Sequence, residues 1–304
     1  MTAIGGGART VAPAKVNAAL LVGPVRPHDG RHDLASVMQS LSLADDVALV
    51  PAVGGADEVD CPGVTGDNLA LDALRAYRDA TGWDAPPLTV RIVKRIPVAA
   101  GMAGGSNDAA AVLRLAAFLH DASDDGLLLR LAAGLGADVA HGLEPGLALA
   151  TGAGERLERR PGVLPGALLV LRSTSGLSTP AVFRRADELR PPRDADDLAG
   201  WRDRLREALA HPPDGQRRAF PEELAVNDLA DAAIDLDPDV AVRLDRLRAH
   251  GARPAMVSGS GPTVVGWFAD GAAAERARRA LAAEGTATEV ARPVSSAPIE
   301  RIPA

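Results

Sequence analysis

The chain reads as an α+β protein, and three stretches predict it. Residues 88–98, "LTVRIVKRIPV", set Leu88, Val90, Ile92, Ile96 and Val98 on one face at period two, the pattern of a strand with one buried side. Lys94 is the exception on that face. From Ser106 to about His120, Ala109, Val112, Leu113 and Ala116 recur at helical spacing, with Ser106, Asn107 or Asp108 available as cap. Near the end, "AMVSGSGPTVVGWF", "GAAAERARRALAAEG" and "TATEVARPV" read as strand, glycine turn, strand, helix and strand.

Between these stretches the spacing predicts further helices at about 68–80, 126–134, 201–210 and 239–250, the last stopped by Gly251. No repeat appears at solenoid periods. Residues 186–221 turn to proline, arginine and aspartate ("ELRPPRDADD", "HPPDGQRRAFP"), the composition of an exposed insertion or connection rather than core. A change of domain falls near 150–160, around "TGAGERLERRPG", which divides the chain into 1–155 and 156–304.

Composition narrows the function classes. With 304 residues, 47% of them hydrophobic, the chain can bury a substantial core. No apolar run approaches the roughly 18 residues of a spanning helix, and the first residues lack a signal-peptide layout. The single cysteine, Cys61, excludes an internal disulfide and fits a reducing cytoplasm. The six histidines show no metal-ligand spacing. A net charge of -7, with few aromatic residues, argues against a nucleic-acid surface. Of 33 basic residues only Lys15 and Lys94 are lysine, so each is either a chance survivor or a place that needs a compact ammonium rather than a planar fork.

"IPVAAGMAGGSNDAAAVL", residues 96–113, runs from strand through Gly101, Gly104 and Gly105 into a helix. Glycines before a helix N-terminus present unpaired N–H groups and the positive end of the helix dipole, which suits a phosphate; a plain tight turn is the alternative. Neither GxxxxGK[ST] nor GxGxxG is present.

"PVAAGMAGGSNDAA" resembles the phosphate-binding motif of the GHMP kinases, P-x-x-x-G-[LM]-x-[GS]-[GS], and "PAKVN" and "SGSGPTVVGWF" are similar to that family's other two signatures, in the same order. Within the family, "KVNAALLVGPVRPHDGRHDLASVMQSLSLADDVAL", "GLGADVAHGL", "GLSTPAVF" and "EELAVNDL" resemble the branch that acts on 4-(cytidine 5'-diphospho)-2-C-methyl-D-erythritol. The resemblance spans about residues 11–270. It implies two lobes, the first like ribosomal protein S5 domain 2 and the second ferredoxin-like, with the site between them. It also implies ATP-dependent phosphorylation of the 2-hydroxyl of that cytidine-diphospho substrate in the non-mevalonate isoprenoid route, with magnesium accompanying ATP and neither nucleic acid nor membrane as partner.

By the same resemblance Lys15 and Asp138 are the catalytic pair, Asp138 orienting the acceptor hydroxyl and taking its proton while Lys15 stabilises the transferring phosphoryl. An aspartate at its ordinary pKa of roughly 3.9 is a weak base near neutrality, so placement matters more than basicity. Read from the residues alone, Asp138 is equally a capping or turn aspartate after Gly134 and Gly136, and Lys15 a strand-edge lysine. Pro97, Gly101, Met102, Ala103, Gly104, Gly105, Ser106 and Asn107 match the ATP loop, with Ser106 a candidate magnesium ligand; Asp108 suits a helix-dipole or capping role. Gly259, Ser260 and Gly261, after Ser258, form the glycine-rich third motif, or a tight hairpin.

Asn17, Arg31, His32, Thr179 and Phe183 match the substrate positions. "DGRH" departs from the family's DGYH, since Arg31 stands where a tyrosine stacks on cytosine; a guanidinium can also stack on a base. "VAHGL" departs after Asp138, where relatives have proline and an aromatic. Arg31 leaves open a kinase for another small alcohol. A non-catalytic nucleotide binder is the alternative of a different class, although it would need the glycine loop and not the Lys15–Asp138 pair.

Overall fold

In the computed structural model, residues 6–98, 100–122, 124–173, 176–210 and 219–303 are described. Two long strands, β1 (Gly7–Val25) and β2 (His32–Pro51), form an antiparallel hairpin that is the spine of the first lobe. One half of β2 pairs with β4 (Leu88–Val93) and the other with β5 (Leu147–Gly152). The short β3 (Glu58–Asp60) lies parallel to β4, β6 (Arg156–Arg160) pairs with β5, and β11 (Ile299–Ile302) returns to the free edge of β1.

Helices α1 (Leu69–Thr81), α2 (Gly104–His120), α3 (Asp125–Leu135) and α4 (Val139–Leu143) pack on this sheet. The small side chains of α2 explain how closely it lies against β1: Ala109, Ala110, Val112, Leu113 and Ala116 are all fully buried. Leu88, Val90 and Ile92 are buried as period two requires, but β4 ends at Val93 and Val98 is exposed. The expected strand is therefore shorter, because the chain turns after Val93 to bring the glycine loop over β1.

The second lobe is an antiparallel sheet in the order β10 (Thr288–Ala291), β7 (Ala167–Leu171), β9 (Val264–Phe268), β8 (Ala255–Val257). One face carries α7 (Ala230–Leu236), α8 (Asp239–Ala249) and α9 (Gly271–Ala283). The other face meets the first lobe, where Leu168, Val170 and Val265 share a core with Val16 and Val37. The closing strand, turn, strand, helix and strand are those expected. The sheets themselves divide the chain after β6, past the expected 155/156 boundary, and β11 belongs to the first sheet.

The stretch read as an exposed connection is corrected in part. It contains the end of α5 (Thr179–Leu189) and all of α6 (Ala195–Ala208), and Leu198, Leu205 and Leu209 are buried in the inter-lobe core. Apolar residues at i and i+7 give α6 one core-facing stripe despite its charged composition. Residues 211–218 lie outside the described residues. No helix among the described residues is long and apolar enough to cross a membrane.

Candidate active site

A cleft of about 600 Å³ opens between the lobes, within the ordinary range for a small-molecule site. Lys15 and Asn17 enter it from β1, where bulges between Pro13 and Lys15 and between Asn17 and Ala19 break the register with β2. The bulge frees the Lys15 N–H from the ladder, and it donates to the Met102 carbonyl at 3.1 Å, tying the glycine loop to β1. Lys15 is 5% exposed; its Nζ donates to Asn17 Oδ1 at 2.8 Å and stands 3.6 Å from Asp138 Oδ1. The Asn17 amide donates in turn to Ser36 Oγ at 2.7 Å, so its polar atoms are engaged in holding Lys15.

Asp138 occupies the position before α4, yet its side chain makes no capping hydrogen bond there. Its carboxylate is partly exposed in the cleft beside Lys15. Asp138 lies in the turn before α4 without capping it, and Lys15 is buried within β1 rather than exposed at a strand edge.

On the opposite wall, α2 begins at Gly104, two residues before the expected start. Its cap is Ala103 in the left-handed region (φ 58°), and none of Ser106, Asn107 and Asp108 caps it. The first-turn N–H groups of Gly104, Gly105 and Ser106 are therefore without helical acceptors. A Cβ on Gly105 would meet nothing within 4 Å, so the loop is open on that side. Pro97, Gly101, Ala103, Gly104, Gly105 and Ser106 line the cleft.

Two residues of the expected ATP set point elsewhere. Met102 is buried in the core, and the Asn107 amide is turned beneath the loop to donate to the Pro13 carbonyl at 2.7 Å. Asp108 is also buried, but for another reason: Lys94 Nζ bridges Asp108 Oδ2 at 2.7 Å and Asp45 Oδ2 at 2.5 Å. Burial, with Asp45 nearby, pushes the Asp108 carboxyl up to about 7 against the pull of Lys94. Burial opposes the Lys94 charge, but the two carboxylates outweigh it and raise the ammonium above its usual range. A compact point charge between two carboxylates is the use of lysine that the arginine-rich composition hinted at.

The third motif closes the cleft roof. Gly259 and Ser260 line it, whereas Gly261 packs toward Val257 and Ala233. Ser260 Oγ and Thr179 Oγ1 are 2.9 Å apart, and Asn227 Nδ2 donates to the carbonyls of Val257 and Gly259 at 2.9 and 2.8 Å.

Thr179 and Phe183 reach the cleft from α5, but Arg31 and His32 are not among its lining residues. Arg31 is held by Asp29, Nε to Oδ2 at 2.9 Å, and its side chain is half exposed. His32 stacks on Phe183, with centroids 5.4 Å apart and planes at 25°. Its Nδ1 is 2.8 Å from the Gly23 carbonyl, which places a proton on that nitrogen, and its Nε2 is 3.3 Å from Asp187 Oδ2. Arg31 is thus engaged by Asp29, an ionic partner two residues away in the chain, rather than by the cleft wall.

Sequence reading missed Cys61, Asn68 and Lys94 as cleft residues. Lys94 had a signal: it is one of the chain's two lysines, and it stands just before the glycine loop. Cys61 had none; burial raises its thiol pKa, so it presents a weakly acidic thiol.

The family model of the GHMP kinases N terminal domain matches residues 68–151, and that of the GHMP kinases C terminal matches 205–287. A Streptomyces coelicolor protein named 4-diphosphocytidyl-2-C-methyl-D-erythritol kinase is 40% identical over 292 residues, 94% of this chain and 95% of that one. A protein of the same name from Anaeromyxobacter sp. (strain Fw109-5) is 42% identical over 91% of this chain and 87% of its own. A crystal structure of 4-(cytidine 5'-diphospho)-2C-methyl-D-erythritol kinase superposes with a TM-score of 0.72 at 33% identity, covering 93% of this chain and 98% of that chain. Homoserine kinase from Cytophaga hutchinsonii, at 14% identity and a TM-score of 0.71, shares the fold. The chain belongs to the GHMP kinases and, within them, to the 4-diphosphocytidyl-2-C-methyl-D-erythritol kinase family.

Proposed function

We propose that this chain transfers the γ-phosphoryl group of ATP to the 2-hydroxyl of 4-(cytidine 5'-diphospho)-2-C-methyl-D-erythritol, in the non-mevalonate route to isoprenoid precursors. The observation that carries this is one cleft holding buried Lys15 beside the partly exposed Asp138 carboxylate, across from an uncapped helix N-terminus. Phosphoryl transfer needs in-line placement and positive charge around the transferred oxygens more than covalent chemistry. The N–H groups of Gly104, Gly105 and Ser106 hold the phosphates, while the arm of the cleft walled by Cys61, Asn68 and Lys94 takes the nucleoside.

Asp138 orients the acceptor hydroxyl and receives its proton as the O–P bond forms. Lys15, fixed by Asn17, keeps its charge on the phosphoryl oxygens. The Ser106 hydroxyl and the Asp138 carboxylate are hard oxygen donors on the cleft wall and fit a magnesium ion arriving with ATP, which would neutralise phosphate charge. Thr179 and Phe183 face the second substrate, with His32 behind Phe183.

The test is ADP release by the purified protein with magnesium and ATP, comparing the cytidine-diphospho substrate with the sugar-alcohol phosphate lacking cytidine. Strong preference for the cytidine form is expected. Equal turnover of both, favouring a kinase for another small alcohol, or turnover of neither, favouring a nucleotide binder, would overturn the assignment.

A further inference from the structure

Helix α4, which follows Asp138, is only five residues long, and a helix of that length does not keep its shape through its own hydrogen bonds. Its last carbonyls lack helical donors, and Ala140 and His141 are buried, so those carbonyls need a partner other than water. Arg159, on β6, supplies it. Its Nη2 donates to the Ala140 carbonyl at 3.0 Å, and its Nη1 to the His141 carbonyl at 3.3 Å and to the Glu144 carbonyl. Its Nε lies 3.5 Å from Glu144 Oε2. A cation there also sits at the negative end of the helix dipole.

The sheet register gives this clamp a further meaning. Arg159 pairs with Ala148 on β5, Ala148 pairs with Met38 on β2, and Met38 pairs with Asn17 on β1. Arg159 and Asn17 therefore stand on one cross-strand row spanning four strands, with side chains on the same face. Asn17 holds Lys15 from one end of that row, and Arg159 holds the helix that carries Asp138 from the other. Both members of the pair are referenced to the same rigid row.

We propose that Arg159 is a positioning residue that sets the Asp138 carboxylate against Lys15 by clamping the C-terminal carbonyls of α4. The inference rests on the reading of Asp138 given above. It also assigns a use to the guanidinium: a planar fork spans successive carbonyls, which an ammonium cannot do.

The experiment measures kcat and both KM values, per active site titrated, for wild type, Arg159→Met, Arg159→Lys, Asp138→Asn and the Arg159→Met/Asp138→Asn double variant. In Arg159→Met, kcat is expected to fall about tenfold to a hundredfold with both KM values within about twofold, and Arg159→Lys to recover part of the loss. Because Arg159 acts through Asp138, the double variant should be no slower than Asp138→Asn alone. Should Arg159→Met fail to fold, Arg159→Lys and its double with Asp138→Asn carry the same comparison. Additive losses, or unchanged kcat in the folded Arg159 variants, would overturn the role of Arg159 alone. Wild-type turnover in Asp138→Asn would instead overturn the reading of Asp138, and the proposal with it.

Discussion

Gly101 and Ser258, 157 residues apart in the chain, meet across the cleft roof: Ser258 Oγ donates to the Gly101 carbonyl at 3.2 Å. A Cβ on Gly101 would stand 2.2 Å from the Ser258 carbonyl oxygen, and its φ is +68°. The glycine loop and the third motif thus touch backbone to backbone, in a conformation that favours glycine on both counts.

Gly101→Ala is accordingly expected to push the two motifs apart. Left-handed backbone alone costs a non-glycine residue roughly 1–3 kcal/mol, before the clash is counted. Denaturation midpoints should fall and the KM for ATP should rise more than that for the second substrate. A stable variant with unchanged ATP affinity would show that the contact does not shape the phosphate loop.

Asp138→Asn keeps the shape of the side chain and removes its charge. Nucleotide binding, followed by fluorescence or calorimetry, should persist, while kcat drops by about a hundredfold or more, the scale of losing a positioned proton acceptor. Turnover near wild type would refute the assignment of Asp138.

Arg31→Tyr exchanges a residue that the structure ties to Asp29 for the tyrosine of the DGYH pattern. With Arg31 turned from the cleft, its loss removes no contact there. The KM for the cytidine substrate is expected to stay level or fall, with kcat unchanged. A tenfold rise would mean that Arg31 leaves Asp29 to contact the substrate.

Two buried groups should give opposing pH dependences of stability. Burial, with the Arg159 cation adding to it, holds the His141 imidazole down at about 3. Between about pH 3 and 6.5 the unfolded chain therefore binds a proton that the folded chain does not, and stability rises with pH. Asp108, raised to about 7, is protonated in the folded chain and ionised in the unfolded one between about pH 4 and 7, so its contribution falls as pH rises.

Each slope is on the order of 1.4 kcal/mol per pH unit. In midpoints of chemical denaturation from pH 4.5 to 6.5, Asp108→Asn should show a steeper rise than wild type, and His141→Phe a steeper fall. Parallel profiles for all three proteins would show that neither group titrates as described.

The glycine loop, the faces of α2 and the closing β8–β9–α9–β10 run were legible in the sequence because each is written locally, in periodicity of apolar residues and in glycines where the chain must turn. The two lysines stood out by composition, and the match to the GHMP kinases rested on ordered short motifs. The Lys15–Asp138 pairing was implied by those motifs; what the tertiary structure alone decided were Lys94 bridging Asp45 and Asp108, Arg159 clamping α4, and Arg31 turned to Asp29. The same holds for Asn107, whose motif suggested phosphate but whose amide satisfies a buried Pro13 carbonyl, and for Leu198 and Leu205, which pull a proline- and arginine-rich stretch into the core. Local pattern determines which conformation a segment favours; which of its polar and apolar groups meet depends on the register of strands and the packing of lobes far apart in the chain.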